Sequence, residues 1–311
     1  MISETGSKNR FAKQDSVVRR SRQATEFFIE SLLRAVTWIS ILVTFGIVFV
    51  LVKDSLPFFQ EVGLWDFLTD KEWTPLFDQP HFGISSLLAG TFSTTIIALT
   101  LAIPVGTLIA AFLSEMVSVN AREILKPILE LLAGIPSVVF GYFALLMVTP
   151  FLQKFIPELP GFNVLSAGIV LGFMIIPYVT SLSEDAMRSV PDHLREASYA
   201  LGANRLETAF KVVIPSSFSG MTSAYILALS RALGETMVVA ISAGMQPKLT
   251  FDPREPAATV TAYIVQVSMG DLPHGSIGYR TIYAAGLSLF VITVMFNLIG
   301  MWIKKRYQER E

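Results

Sequence analysis

The stretch EASYALGANRLETAFKVVIP, residues 196–215, is polar and helix-forming inside a chain that is otherwise mostly apolar. Just upstream, Ser189 or Val190 followed by Pro191 can open a helix, because proline's missing N–H is not needed in a first turn. Leu194, Ala197 and Leu201 then recur at i, i+3, i+7 on one face, and Gly202 stands where a left-handed C-terminal cap falls. Asn204 and Glu207 have the spacing of a capping box, with Asn in place of the usual Ser or Thr. A second helix is expected from Arg205 until Pro215 limits it. The result is helix, tight glycine turn, helix, and neither helix is long or apolar enough to cross a bilayer. Five acids and four bases between 183 and 217 suit the stretch poorly to anionic lipid. Two uses fit this local chemistry: docking of a protein partner, and packing of a loop helix on its own bundle.

Of the 311 residues, 52% are hydrophobic and 16% charged, well below the roughly 25% charged residues of soluble domains. Six apolar segments are candidates for crossing a bilayer core, which needs about 20 helical residues: 35–52, 87–113, 131–153, 162–182, 218–244 and 281–303. The fold class is therefore an all-α integral membrane protein with six transmembrane helices. The first segment is expected to remain as an anchor, since 34 residues precede it and LVKDSLPFF offers no small-residue cleavage site. The absence of cysteine excludes disulfides, thiol catalysis and cysteine-bound metal. A net charge of -1 gives no footprint for a nucleic-acid partner.

The basic residues orient the chain. Placing both termini in the cytoplasm puts 17 Lys and Arg inside and six outside, with Arg231 within a span, as the positive-inside rule favours. The layout is then a cytoplasmic tail (1–34), the first span with an acidic outer loop (35–86), a bundle (87–303) and a basic cytoplasmic tail (304–311). Residues 53–85 and 245–280 fall outside. Residues 1–25 are polar and aperiodic, which predicts disorder or a loose surface helix. Gly106 and Ala110 after Pro104, the punctuation of LLAGIPSVVFG by Gly134, Pro136 and Gly141, and Pro177 mark close packing and bends between spans. Bundle packing and pathway lining are both consistent with them.

Glu196, Ala197, Ser198 and Gly202, followed after nine residues by Val212, Ile214 and Pro215, match in spacing the E-A-A-x3-G-x9-I-x-L-P motif of ABC-transporter permeases. Ser replaces the second Ala, Val the Ile and Ile the Leu. SRALGETMVV (230–239) and LELLAGIPSVVFG (129–141) resemble the corresponding stretches of phosphate permeases of the PstC type, and the resemblance covers roughly residues 84–303. It implies a MetI-like bundle in the bacterial inner membrane, and a coupling helix at Glu196, Ala197, Gly202 and Pro215 that docks on an ATPase. The partners implied are a PstB-like ATP-binding subunit, a second, PstA-like permease forming a heterodimer, and a PstS-like phosphate-binding protein. ATP and Mg would sit on the partner ATPase, with no cofactor in this chain.

Arg231 and Glu235 lie within the fifth apolar segment, where a charge near the bilayer centre costs about 2.5–3.5 kcal/mol. Their i, i+4 spacing places them on one helical face and lets them pair. They read either as a structural ion pair or as the lining of an anion route, in which a guanidinium grips phosphate oxygens with two hydrogen bonds. Glu130 is a weaker candidate that could simply reach the interface with Lys126. No Gly-Lys pair occurs, so there is no P-loop. His81, His193 and His274 are isolated in different loops, poor material for a metal site or triad. The competing function is a self-sufficient anion channel or ion-coupled carrier, which would leave the 196–215 motif idle.

Overall fold

The computed structural model describes the backbone of residues 4–308 apart from Leu76, Asp78, Asp271 and His274, and within it the side chains of residues 26–306. In chain order the elements are α1 (Glu4–Glu61), α2 (Leu64–Thr69), α3 (Ser85–Glu115), α4 (Val119–Ala133), α5 (Ser137–Phe143), a π-helical turn (Ala144–Val148) and α6 (Thr149–Gln153). There follow α7 (Val164–Arg188), α8 (Asp192–Ala200), α9 (Arg205–Thr208), a second π-helical turn (Ala209–Val213), α10 (Ile214–Ser216), α11 (Phe218–Leu233), α12 (Met237–Ser242), α13 (Val260–Ser268) and α14 (Ile277–Gln308). Among the described residues there is no strand, only an isolated bridge between Trp73 and Phe82. Four helices are long and apolar enough to cross a membrane, and six if each bent pair counts as one span. The tail expected as disorder or a loose surface helix enters α1 at Glu4, and its side chains, like His274 and Arg310, lie outside the described residues.

The chain divides into two units at Lys53 and Asp54. The first is helical, and its apolar side chains, among them Phe27, Trp38, Phe45 and Phe49, are exposed, as suits a helix whose solvent is lipid. The second unit is built around α3 and α7. Contacts advance together along both: Gly168 faces Ile97, Gly172 faces Ala98, and Gly106 faces Val179 and Ile176. The two helices therefore run parallel, and the intervening α4–α6 carry the chain back. A Cβ on Gly106 would stand 2.7 Å from Val179 Cγ1, so the small residues bring the two backbones together, as close helix packing in membranes requires. Around this pair lies a core of Ala98, Ala102, Val170, Leu171, Met174, Ile175, Val179, Ala228 and Ala232.

Two apolar segments are not single helices. The third, 131–153, breaks between α4 and the helix Ser137–Gln153, which meet at 81°. Pro136 disfavours helical backbone in the residue before it, and α4 ends on Gly134 as its cap. The fifth, 218–244, ends as α11 at Leu233, is interrupted at Gly234–Thr236, and resumes as α12. A further bend of 74° at Ser217 separates the helix Arg205–Ser216 from α11. The first helix runs on to Glu61, and α13 stands inside the segment 245–280 expected as a loop.

One end of the second unit is a cap. Phe58, Phe67, Trp73 and Tyr263 stack edge to face and pack with Ile84, Leu87, Val260 and Val267. On its surface His81 Nδ1 lies 2.9 Å from Asp70 Oδ2, and this hydrogen bond raises the imidazole pKa above its ordinary 6.5. The stability contributed by the pair is full below about pH 6.5 and is lost as pH rises through the raised pKa. His81→Gln should accordingly abolish a step in amide-exchange protection of residues 72–83 between pH 6 and 8; an identical pH profile in the variant would exclude His81 as its source.

Candidate functional site

The end of the bundle opposite the cap carries the helix–turn–helix of residues 192–216. Gly202 has φ +87°, the left-handed conformation expected of it, and nothing stands within 4 Å of where its Cβ would be. Asn204 Oδ1 accepts from the Glu207 N–H at 2.9 Å while Glu207 Oε2 accepts from the Asn204 N–H at 3.0 Å, so the capping box is complete. From Arg205 the helix continues through a π-helical turn to Ser216, with Pro215 in its last turn. Ser198, the position where the motif carries Ala, places its hydroxyl 2.9 Å from that of buried Thr208 and ties the two short helices together.

Leu194 is half-buried against Met187, Val190, Val213 and Met221, whereas Ala197 and Leu201, expected on the same face, are exposed. The tip of the turn is apolar and open: Leu201 is 89% exposed, and Leu206, Phe210, Tyr199 and Glu196 are also exposed. What fastens α8 to the bundle is Arg195, which the sequence reading passed over. Its Nη2 donates to Glu115 Oε1 at 3.0 Å and its Nε to Oε2 at 3.2 Å, while further N–H groups donate to the carbonyls of Met187 and Val190. Glu115, at the end of α3, is 4% exposed. Hydrogen bonding to Glu115 raises the Arg195 pKa further above its ordinary value, so the guanidinium stays charged.

Beside this end, α4 is joined to α7 by charge. Lys126 Nζ donates to Glu184 Oε2 at 2.7 Å and also to Asp185, and the Arg122 and Arg188 guanidinium groups lie 3.8 and 3.9 Å from Glu184 Oε1. Glu130 accepts from Ser181 at 2.8 Å. Lys126 thus turns to Glu184 and Asp185, and Glu130 takes a hydroxyl on α7.

The expected pair of Arg231 and Glu235 does not form. α11 ends at Leu233 with Gly234 as its cap, so the four-residue spacing no longer measures one helical turn. Glu235 Oε1 instead accepts from the N–H groups of Met237 and Val238 at 3.1 and 3.3 Å, and its carbonyl accepts from Thr261. The carboxylate satisfies the unpaired donors that open α12, where the helix dipole favours negative charge. Arg231 has no acid within ion-pair distance among the described residues; its guanidinium lies over the Tyr178 ring, 4.4 Å from the centroid. Of the residues assigned by sequence, Glu196, Ala197, Gly202 and Pro215 are brought into one structure at the 192–216 end, and Arg231 stands apart from Glu235.

An all-helical bundle with broken spans, an exposed arginine within one of them and an amphipathic helical knob is an architecture that suits a membrane permease. The model of the family described as "binding-protein-dependent transport system inner membrane component" matches residues 102–310. The chain is 37% identical over 241 residues to the probable ABC transporter permease protein YqgH of Bacillus subtilis, covering 78% of each chain. It is 32% identical over 321 residues to the phosphate transport system permease protein PstC of Mesorhizobium japonicum, covering 96% of this chain and 95% of that one. Among solved structures its fold resembles a bacterial alginate ABC transporter chain (TM-score 0.61, 18% identity, 90% and 94% covered) and one of the MetNI methionine ABC transporter (TM-score 0.53, 18% identity, 72% and 94% covered). The chain belongs to the family of binding-protein-dependent transport system inner membrane components, the permease subunits of ABC importers.

Proposed function

We propose that this permease moves inorganic phosphate, with Arg231 as the anion-attracting residue of its pathway. The observation that carries the proposal is an arginine in a membrane-spanning segment that has no carboxylate partner among the described residues. A charge at membrane depth needs a counter-charge or water; Arg231 is exposed on the bundle surface, open to a passing anion that supplies the former. Guanidinium offers phosphate two parallel hydrogen bonds, and a single such group attracts without trapping, as conduction demands. The near full-length similarity to a phosphate permease supports the choice of anion. Both termini are cytoplasmic in this reading, as the distribution of Lys and Arg favours. The 192–216 knob docks on a PstB-like ATPase that holds ATP and Mg, a PstA-like permease completes the pathway, and a PstS-like protein delivers phosphate from outside.

The test is uptake into vesicles holding this chain with its second permease and ATPase, supplied with phosphate-loaded binding protein. Labelled phosphate should accumulate only with ATP inside, and excess sulfate should not compete. Uptake by this chain alone would establish a self-sufficient carrier instead. The docking role has its own check in Gly202→Val. A side chain in the left-handed region costs roughly 1–2 kcal/mol, so co-purification of the ATPase should fall about tenfold at unchanged insertion. Undiminished association would remove the turn from the docking surface.

A further inference from the structure

We propose that Tyr178 is a positioning residue for transport, its ring holding the Arg231 guanidinium toward the pathway. This rests on Arg231 serving the anion. The backbone of Arg231 is already fixed: Ser230 donates to Asn297 of α14 at 3.0 Å on one side, and Ala228 and Ala232 are buried against α7 on another. Packing therefore sets which face of α11 Arg231 occupies, but leaves the direction of its long side chain open. An unpaired arginine would sample many rotamers, and ordering so flexible a side chain has an entropic cost.

Tyr178 removes that freedom. It lies on α7 directly after Pro177, half-buried, and its ring face carries the guanidinium 4.4 Å from the centroid. A ring attracts the cation through its quadrupole but leaves all five guanidinium N–H groups unused. A carboxylate in the same place would occupy two of them and cancel the charge. The aromatic partner thus orients the cation while leaving it electrostatically and geometrically available to an oxyanion. Glu235 does not serve this purpose, since its carboxylate caps α12.

The test replaces Tyr178 by phenylalanine and then by its 4-fluoro, 3,5-difluoro and 3,4,5-trifluoro forms in the complete importer. Fluorine drains the ring face of negative potential at nearly constant shape. Tyr178→Phe should transport close to the parent rate. Maximal ATP-driven phosphate uptake should then fall stepwise along the series, to about a tenth at the trifluoro ring, with assembly and half-saturation by loaded binding protein unchanged. A loss of about tenfold corresponds to a partly desolvated cation–π contact. Uptake that stays flat across the series, or that falls only with complex yield, would make Tyr178 mere packing. Arg231→Gln in the same vesicles separates the two levels. Its loss of uptake alongside a flat fluorine series overturns the role of Tyr178 alone, whereas normal uptake by Arg231→Gln overturns the pathway reading beneath it.

Discussion

Arg231→Gln should leave an importer that assembles and binds ATP but takes up phosphate about a hundredfold more slowly. The size follows from the loss of a charge-assisted two-point donor, worth about 3 kcal/mol, which corresponds to about a hundredfold. The fold should tolerate the change. Arg231 makes no ion pair, and its one partner among the described residues is a tyrosine ring, so glutamine strands no buried acid. Arg231→Lys should lie between, retaining charge while losing the planar two-point grip. The measurement is initial rate of labelled phosphate uptake at matched amounts of assembled complex. Lysine performing as well as arginine would show that charge alone suffices.

The second large effect concerns the foundation of the coupling helix. Arg195→Ala should release α8 from the bundle, because it leaves the nearly buried Glu115 carboxylate unpaired and removes donors from the Met187 and Val190 carbonyls. Breaking a buried pair from one side costs about 3–5 kcal/mol. The expected result is loss of ATPase co-purification together with faster tryptic cleavage after Arg205 and Lys211, while the membrane bundle stays inserted. Converting both partners, Glu115→Gln with Arg195→Met, should recover much of the association, since replacing a whole buried pair is often nearly neutral. Full association in Arg195→Ala alone would show that α8 is held by its apolar contacts, such as Leu194 on Met187 and Val190.

The parts of this structure legible in the sequence are those set by local chemistry or by solvent. Apolar runs located the membrane-crossing regions because a bilayer demands length and hydrophobicity together. Gly202 and the Asn204–Glu207 capping box were readable because their conformations depend on neighbours within four residues. What escaped depends on distant partners. Glu115 and Arg195 meet across 80 positions, and each alone reads as an ordinary charge at a helix end. Arg231 and Glu235 misled for the opposite reason. Helical periodicity was extended through Gly234, where the helix stops and the carboxylate finds backbone donors more readily than a guanidinium. Gly134 and Pro136 signalled a bend, but only the packed structure shows that the span breaks there and that a second span breaks at Gly234.

The most direct measurement is ATP-driven phosphate uptake by the double variant Arg231→Gln, Glu235→Gln in the fully assembled importer. If the arginine serves the anion, the double variant should assemble and remain as inactive as Arg231→Gln alone, because Glu235 never compensated the arginine charge and its amide can still cap α12. Uptake restored to the parent rate by the second substitution would contradict this, and would show that the two charges act as a pair whose purpose is structural.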